Sequence, residues 1–312
     1  MTNKEAYQQF CKKEKEVPIF SQPWYLDVIC GIDGWDIMMI KKGDEIAVTM
    51  PIQKKNILGF QLPRMPHPAK YLGPYFPKKF RSIKQQEKLM RQLIKQLPKF
   101  DFFEQNFNPS IINWLPFHWE NFEATTRYTF TIDLNQKTLE IFQNIDSKYR
   151  NNKITKAQKI VQVTTDKSLQ DFFNIQSKTF ERQKMKVPFS FDFFKKYDAV
   201  LNKQNAREIF FAIDKDDQIH SVLYLIWDKD TAYLHIAGDD PKLRSSGASI
   251  LLTWHAIKHA KEVLQKNIFD FEGSMIEPIA KVRQSFGGQQ TPYFLIKKYN
   301  SKLIKFLHQL KQ

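Results

Sequence analysis

Asp270 and Glu272 stand two residues apart in the run Phe269-Asp270-Phe271-Glu272-Gly273. On a strand, that spacing puts both carboxylates on one face. A partly buried carboxylate has its pKa raised toward a range in which it can take a proton from an ammonium. Either residue is therefore a candidate base. Structural uses compete with this one: Asp270 bracing a neighbouring turn, Glu272 pairing with Arg283 or a lysine.

A second group is Arg244-Ser245-Ser246-Gly247-Ala248, at the head of a long apolar-periodic run. A helix starting here offers unpaired N–H groups and the positive end of its dipole to a phosphate. Gly247 permits close backbone approach, and Arg244 adds charge. The plainer reading is that Ser245 or Ser246 simply caps the helix.

A third group lies in "SKYRNNKITKAQK". Read as an α-helix, it places Lys148, Asn152, Lys156 and Lys159 on one face, with Arg150 and Lys153 pointing elsewhere. Arg182 and Lys184 form a second basic pair. These residues suit an anionic substrate; a solvated basic face is the bland alternative.

The elements that must position these groups come from a chain of 312 residues, long enough for two domains. It is 42% hydrophobic, with 27 Phe, 11 Tyr and 6 Trp, which excludes global disorder. Lys and Arg number 48 against 33 Asp and Glu, a formal charge of +15 that attracts polyanions such as nucleic acid, phosphorylated substrates or anionic lipid heads. Cys11 and Cys30 cannot build a disulfide framework, and no Cys/His spacing suggests zinc, so no metal is expected. The polar start and the lack of any long apolar run predict a cytoplasmic protein with no transmembrane segment.

Periodicity and turn chemistry predict the order β-α-α-β-β-β-α-β-α-β in the second half, with helices opening at Ser168 and Ser190. Within it, a single basic helix is expected over 138–160, and a helix opened by the capping box Ser274-Met275-Ile276-Glu277. The first half gives a reduced version: α-β-β-loop-α-β-α-β. "FDFFEQNF" in the first half and "FDFEGS" in the second occupy the same place in each series. This repetition predicts two tandem α/β units with mixed sheets and a cleft between them: 1–135 and 136–312, the last helix packing back on the first unit. Pro66, Tyr71, Gly73 and Pro74 would shape the first unit's side of that cleft, where His67 reads as a loop residue.

The order of elements resembles the GNAT acyltransferase fold. "FDFEGSMIEPIAKVRQSFGGQQTPYF" resembles the C-terminal signature of FemAB-like proteins with a GNAT-like acetyltransferase domain, "SKYRNNKITKAQK" their basic helix, and "YLGPYF" a segment of their first unit. The likeness spans about residues 20 to 300. It implies N-acyl transfer to an amine from acyl-CoA or aminoacyl-tRNA as co-substrate, with no tightly bound cofactor. Well-studied members act on peptidoglycan precursors. The resemblance further implies that Arg150 contacts the acceptor's phosphate and that Tyr293, after Pro292, occupies a family tyrosine position. Tyr293 or a strand N–H near Ala237-Gly238 would then stabilise the oxyanion; core packing is the other use of Tyr293. Two departures stand out. "LRSSGAS" matches the donor loop of ordinary GNAT enzymes only in part, and no long helical hairpin comes after "VQVTT".

The expected site is thus Glu272, Asp270 and Tyr293 for chemistry, Arg244 to Ala248 for the donor, and Lys148, Arg150, Lys153, Lys156, Arg182 and Tyr71 for the acceptor. The acceptor would be anionic, small or lipid-linked, with tRNA a further partner. The alternative is a non-catalytic duplicated module that binds a polyanion such as RNA. Sequence-specific DNA binding lacks any helix-turn-helix or zinc motif.

Overall fold

The computed structural model describes residues 2–273 and 275–310. Ser274, first residue of the expected capping box, lies outside them. By its contacts the chain forms two compact units, Met1–Arg127 with Pro292–Gln312, and Tyr128–Thr291. The pattern of elements along the sequence predicts a junction near residue 135 and keeps 136–312 together. The chain instead divides after Arg127 and again after Thr291, and both divisions fall within strands.

The first unit holds α1 (Asn3–Lys13), α2 (Pro23–Cys30), β1 (Trp35–Lys42), β2 (Glu45–Gln53), β3 (Asn56–Ile57), β4 (Phe60–Gln61), α3 (Ile83–Gln96), β5 (Phe102–Asn106), α4 (Leu115–Trp119) and the start of β6 (Glu123–Asp133). β1 and β2 pair antiparallel across the turn at Lys42. The leucine spacing of α3 has its use here: Leu89, Met90 and Leu93 are buried on one stripe. They join Val48, Met50, Phe103 and Phe107 in one core. Gly73 sits at φ +91 where an added Cβ would meet the Phe107 ring at 2.5 Å, so only glycine fits there.

The second unit continues through α5 (Thr138–Asn144), a π-helical turn (Tyr149–Ile154), α6 (Thr155–Ala157), β7 (Gln162–Thr164), α7 (Leu169–Arg182), α8 (Phe191–Lys203), β8 (Arg207–Ile213), β9 (Ile219–Trp227), β10 (Thr231–Asp239), α9 (Ala248–Glu262), β11 (Ile268–Asp270) and α10 (Glu277–Ser285). β12 (Gln289–Tyr299) and α11 (Lys302–Gln309) close the chain; from Pro292 on they belong to the first unit. From β7 to β12 the order is the one expected from the sequence. Ser168 and Ser190 cap α7 and α8 by accepting N–H bonds from Asp171 and Phe193.

In this unit the strands stand in the order β6-β11-β10-β9-β8-β7. β10 and β11 run parallel. β6 with β11, β10 with β9, β9 with β8 and β8 with β7 are antiparallel. The sheet is covered on both sides. One face, with Leu223, Leu225, Ala232, Leu234 and Phe269, packs on Leu252, Ala256 and Ile257 of α9. The other carries an aromatic stack, in which Phe172 of α7 meets Phe194 of α8 and Tyr224 of β9. A strand buried on both faces loses the alternation of a half-exposed one, which is why β9 reads as a near-continuous apolar run.

The single basic helix expected over 138–160 does not form. α5 ends at Asn144, and Asp146 then restarts the backbone by accepting the N–H of Lys148 through its carboxylate and that of Arg150 through its carbonyl. Thr155 N–H reaches back five residues to Arg150 O, the signature of a π turn. The extra residue per turn rotates the downstream residues about the helix axis, so the i, i+4, i+8 face drawn for Lys148, Asn152 and Lys156 is not realised.

Candidate active site

β10 and β11 pair only at Thr231, Ala232 and Tyr233. Beyond that the strands part. β10 carries a bulge at His235, where its register with β9 shifts between Leu234 and Ile236. β11 stops at Asp270 because Glu272 adopts φ +56 and Gly273 φ +67. The left-handed backbone at Glu272 costs a side-chain-bearing residue energy and marks a position over-determined by its surroundings. The expectation that Asp270 and Glu272 share a strand face is therefore corrected. The chain leaves the strand between them, and the Glu272 N–H donates to Asp270 Oδ1 at 2.7 Å.

The two carboxylates have different partners. Asp270 also accepts the Thr129 hydroxyl at 2.5 Å, so it braces the turn. Glu272 Oε1 lies 2.7 Å from His235 Nδ1, and His235 Nε2 lies 2.9 Å from the Tyr197 hydroxyl. The imidazole is 1% exposed. Nothing in the sequence singles out His235, which reads there as one more position in an aromatic strand. Arg283 is half-buried, and its guanidinium lies over the Phe271 ring, 5.0 Å from the centroid. Burial lowers its pKa to about 10, while Glu272 and Asp270 pull the other way, and the guanidinium stays charged at neutral pH.

A cavity of about 840 Å³ opens in the second unit, within the range usual for small-molecule sites. Leu234, Ala237, Gly238 and Asp239 of β10 line one side, Ser249, Ile250 and Thr253 of α9 another, and Ile279, Val282 and Arg283 of α10 a third. Lys153, Arg182, Arg244 and Arg283 bring four positive charges to it. The one carboxylate among the described lining residues, Asp239, is already engaged by the Ser221 hydroxyl at 2.7 Å and by Arg244 Nε at 3.5 Å. Such a lining attracts phosphates.

Of the residues predicted for the donor, Arg244, Ser245 and Gly247 line this cavity, while Ser246 and Ala248 are buried beneath it. Ser246 Oγ donates to Leu243 O at 2.8 Å and accepts Ala248 N–H at 3.3 Å, so it serves the local turn. Gly247 stands at φ +80 as the residue before α9, and a Cβ there would meet Lys153 O at 2.9 Å. Of the residues predicted for the acceptor, Lys153 and Arg182 line the cavity. Lys148 and Arg150 do not. Lys156 donates instead to Ser245 O at 3.0 Å, tying the π-helical segment to the loop before α9. Tyr149 lines the cavity, although the sequence gives no reason to expect it there. Glu272 and Asp270 adjoin the cavity through Arg283. Tyr293 and Tyr71 lie in the first unit, where their rings pack edge to face at 5.2 Å.

Residues 143–274 match the sequence model of a family described as an acetyltransferase (GNAT) domain. That stretch lies wholly inside the second unit and includes the parted parallel strands β10 and β11. The chain as a whole has the fold of FemX, at TM-score 0.68 and 10% identity over 94% of this chain and 96% of that one. It is also similar to L-PGS from Bacillus licheniformis, at TM-score 0.59 and 10% identity, covering 97% and 94% of the two chains. A tandem GNAT protein from the clavulanic acid biosynthesis pathway aligns at TM-score 0.53 and 6% identity over 86% and 84%. The α/β fold of two tandem GNAT-like domains is thereby established. No curated protein sequence matches the chain.

Proposed function

We propose that the chain is an N-acyltransferase whose second unit takes an acetyl, other acyl or aminoacyl group from a phosphate-bearing carrier and passes it to an amine. The observation that carries this reading is the cavity of about 840 Å³ with four cations and one already engaged carboxylate, set where β10 and β11 part. Lys153, Arg182, Arg244 and the first turn of α9 hold the carrier's phosphates. The size of the cavity, and the short connection between α7 and α8, favour acyl-CoA over aminoacyl-tRNA.

The carrier supplies an activated carbonyl; the chain supplies position and a route for one proton. The amine nitrogen bonds to the carbonyl carbon as the carbon–sulfur bond of a thioester, or the carbon–oxygen bond of an ester, breaks. The His235–Glu272 pair receives the amine's proton and returns it to the leaving atom. Asp270 and Thr129 fix the turn that aims Glu272. Backbone N–H groups of the parted β10, near Ala237 and Gly238, stabilise the oxyanion. The acceptor is anionic, and a phosphorylated or lipid-linked envelope precursor fits the charge of the chain.

The test is a thermal-shift screen with acetyl-CoA, longer acyl-CoAs and an aminoacyl-tRNA mimic, repeated on Arg244→Ala with Lys153→Ala. A donor should raise the melting temperature of the wild type and lose that effect in the double variant. Failure of every donor, with salt-steep binding to any RNA, would replace the transferase with a polyanion-binding module.

A further inference from the structure

The first unit carries an apolar, basic surface that the transfer reaction does not use. In α11, Leu303, Phe306, Leu307 and Leu310 follow the i, i+3, i+4, i+7 pattern of one helix face. Their exposures are 53, 56, 42 and 68%. Ile304, the one buried residue of this helix, packs with Leu62 and Phe102, and Phe60 joins the same cluster. Phe60 pairs with Ile57 in the β3–β4 hairpin, and the turn between them carries Leu58. Leu58 is 93% exposed and sits at φ +51, a backbone region unfavourable for leucine. Neither its packing nor its local geometry explains a leucine there. Both features are thus anchored to one small cluster, and both present large apolar side chains to solvent.

Charge accompanies them. Lys54 and Lys55 flank the hairpin, and Lys302 and Lys305 lie on the helix. Neither 54–61 nor 302–310 contains an acidic residue. Among the described residues none of the four lysines is in an ion pair.

We propose that the first unit docks on an anionic lipid surface, with Leu58, Phe306, Leu307 and Leu310 entering the headgroup–acyl boundary and Lys54, Lys55, Lys302 and Lys305 on the lipid phosphates. A short helix with leucine and phenylalanine on one face and lysine beside them is the form that lies in such an interface. No described helix is long and apolar enough to cross a membrane. A second copy of the chain is the weaker occupant: a two-fold contact would bring lysines against their own copies with no carboxylate between them. The proposal stands apart from the transferase reading, because it rests on the first unit alone.

The test is co-sedimentation of the full chain with vesicles of phosphatidylcholine alone and of phosphatidylcholine with phosphatidylglycerol. Binding should need phosphatidylglycerol, weaken with salt, and fall about fivefold for each lysine replaced by glutamine. Phe306→Ser should lower it about tenfold or more, and so should Leu58→Asn, whose new residue accepts the left-handed backbone and keeps the fold. Equal binding by wild type and Leu58→Asn would overturn the proposal, as would equal binding to both vesicle types. So would a dimer, seen by light scattering, that Phe306→Ser dissolves while vesicle binding is absent.

Discussion

His235 and Glu272 are held to each other across 2.7 Å, the imidazole at a strand bulge and the carboxylate on a left-handed residue where the neighbouring strand gives out. Two irregularities of the backbone, one on each parallel strand, thereby produce one hydrogen-bonded pair. Tyr197 fixes the far nitrogen of the ring at 2.9 Å, so the imidazole has one orientation. If the pair takes the amine's proton, Glu272→Gln and His235→Ala should each lower kcat by about 10²–10⁴, with little change in the donor's KM. Asp270→Asn should lower melting temperature and kcat together, since it acts through the turn. Steady-state kinetics on purified variants decides this; equal loss of donor affinity in all three would assign the cluster to binding.

Arg283 presents the opposite case, a charge that the fold tolerates at a cost. Its pKa falls to about 10 from an ordinary 12.5, chiefly by burial. A base held less tightly by the folded chain means that the unfolded chain binds more protons between about pH 10 and 12.5. The charge therefore detracts from stability at neutral pH, and that cost is relieved only as pH rises through the window. Arg283→Met, similar in reach and uncharged, should raise the melting temperature by a few degrees while weakening donor binding. A calorimetric scan showing a large fall instead would make Arg283 a structural counter-charge for Glu272 and Asp270.

Gly247 couples the loop before α9 to the π-helical segment through a contact too close for any side chain. At φ +80, with Lys153 O at 2.9 Å from an added Cβ, Gly247→Ala should cost about 1–2 kcal/mol. Denaturant unfolding measures it. Because changing Gly247 strains the backbone whatever the loop binds, a donor response abolished in Gly247→Glu is informative only beside Arg244→Ala, which removes charge without touching that backbone.

In the first unit, Glu16 bridges Lys78 at 2.8 Å and Arg81 at 3.0 Å. The Lys78 hydrogen bond leads in lowering its pKa to about 2 from 4.5. A carboxylate whose folded pKa is depressed stabilises above its unfolded value and loses that contribution as pH falls through its folded value. Glu16→Gln should thus be less stable than wild type near pH 6, by under about 1 kcal/mol, and equal to it near pH 2. Paired urea titrations at the two pH values give the comparison.

Much of the fold is legible in the sequence because it is written in nearest neighbours along the chain. The capped helices at Ser168 and Ser190, the meander of β8, β9 and β10, and the crossing from β10 into α9 come from turn residues and apolar spacing. Arg244, Ser245 and Gly247 can be found for the same reason: a helix start is a local event. Lys148, Asn152 and Lys156 are misplaced by an α-helical period, and a π turn has no distinct residue pattern to betray it.

By itself, then, the sequence determined which segments become strands and helices, the excess of positive charge, and the tandem order of two α/β units, since these depend on spacing and composition. The tertiary structure alone decided that β11 ends at Asp270, that Glu272 turns away, and that His235 of β10 meets it from 37 positions off in the chain. The parting of two parallel strands is fixed by what packs on either side of them. No short window of residues contains that information.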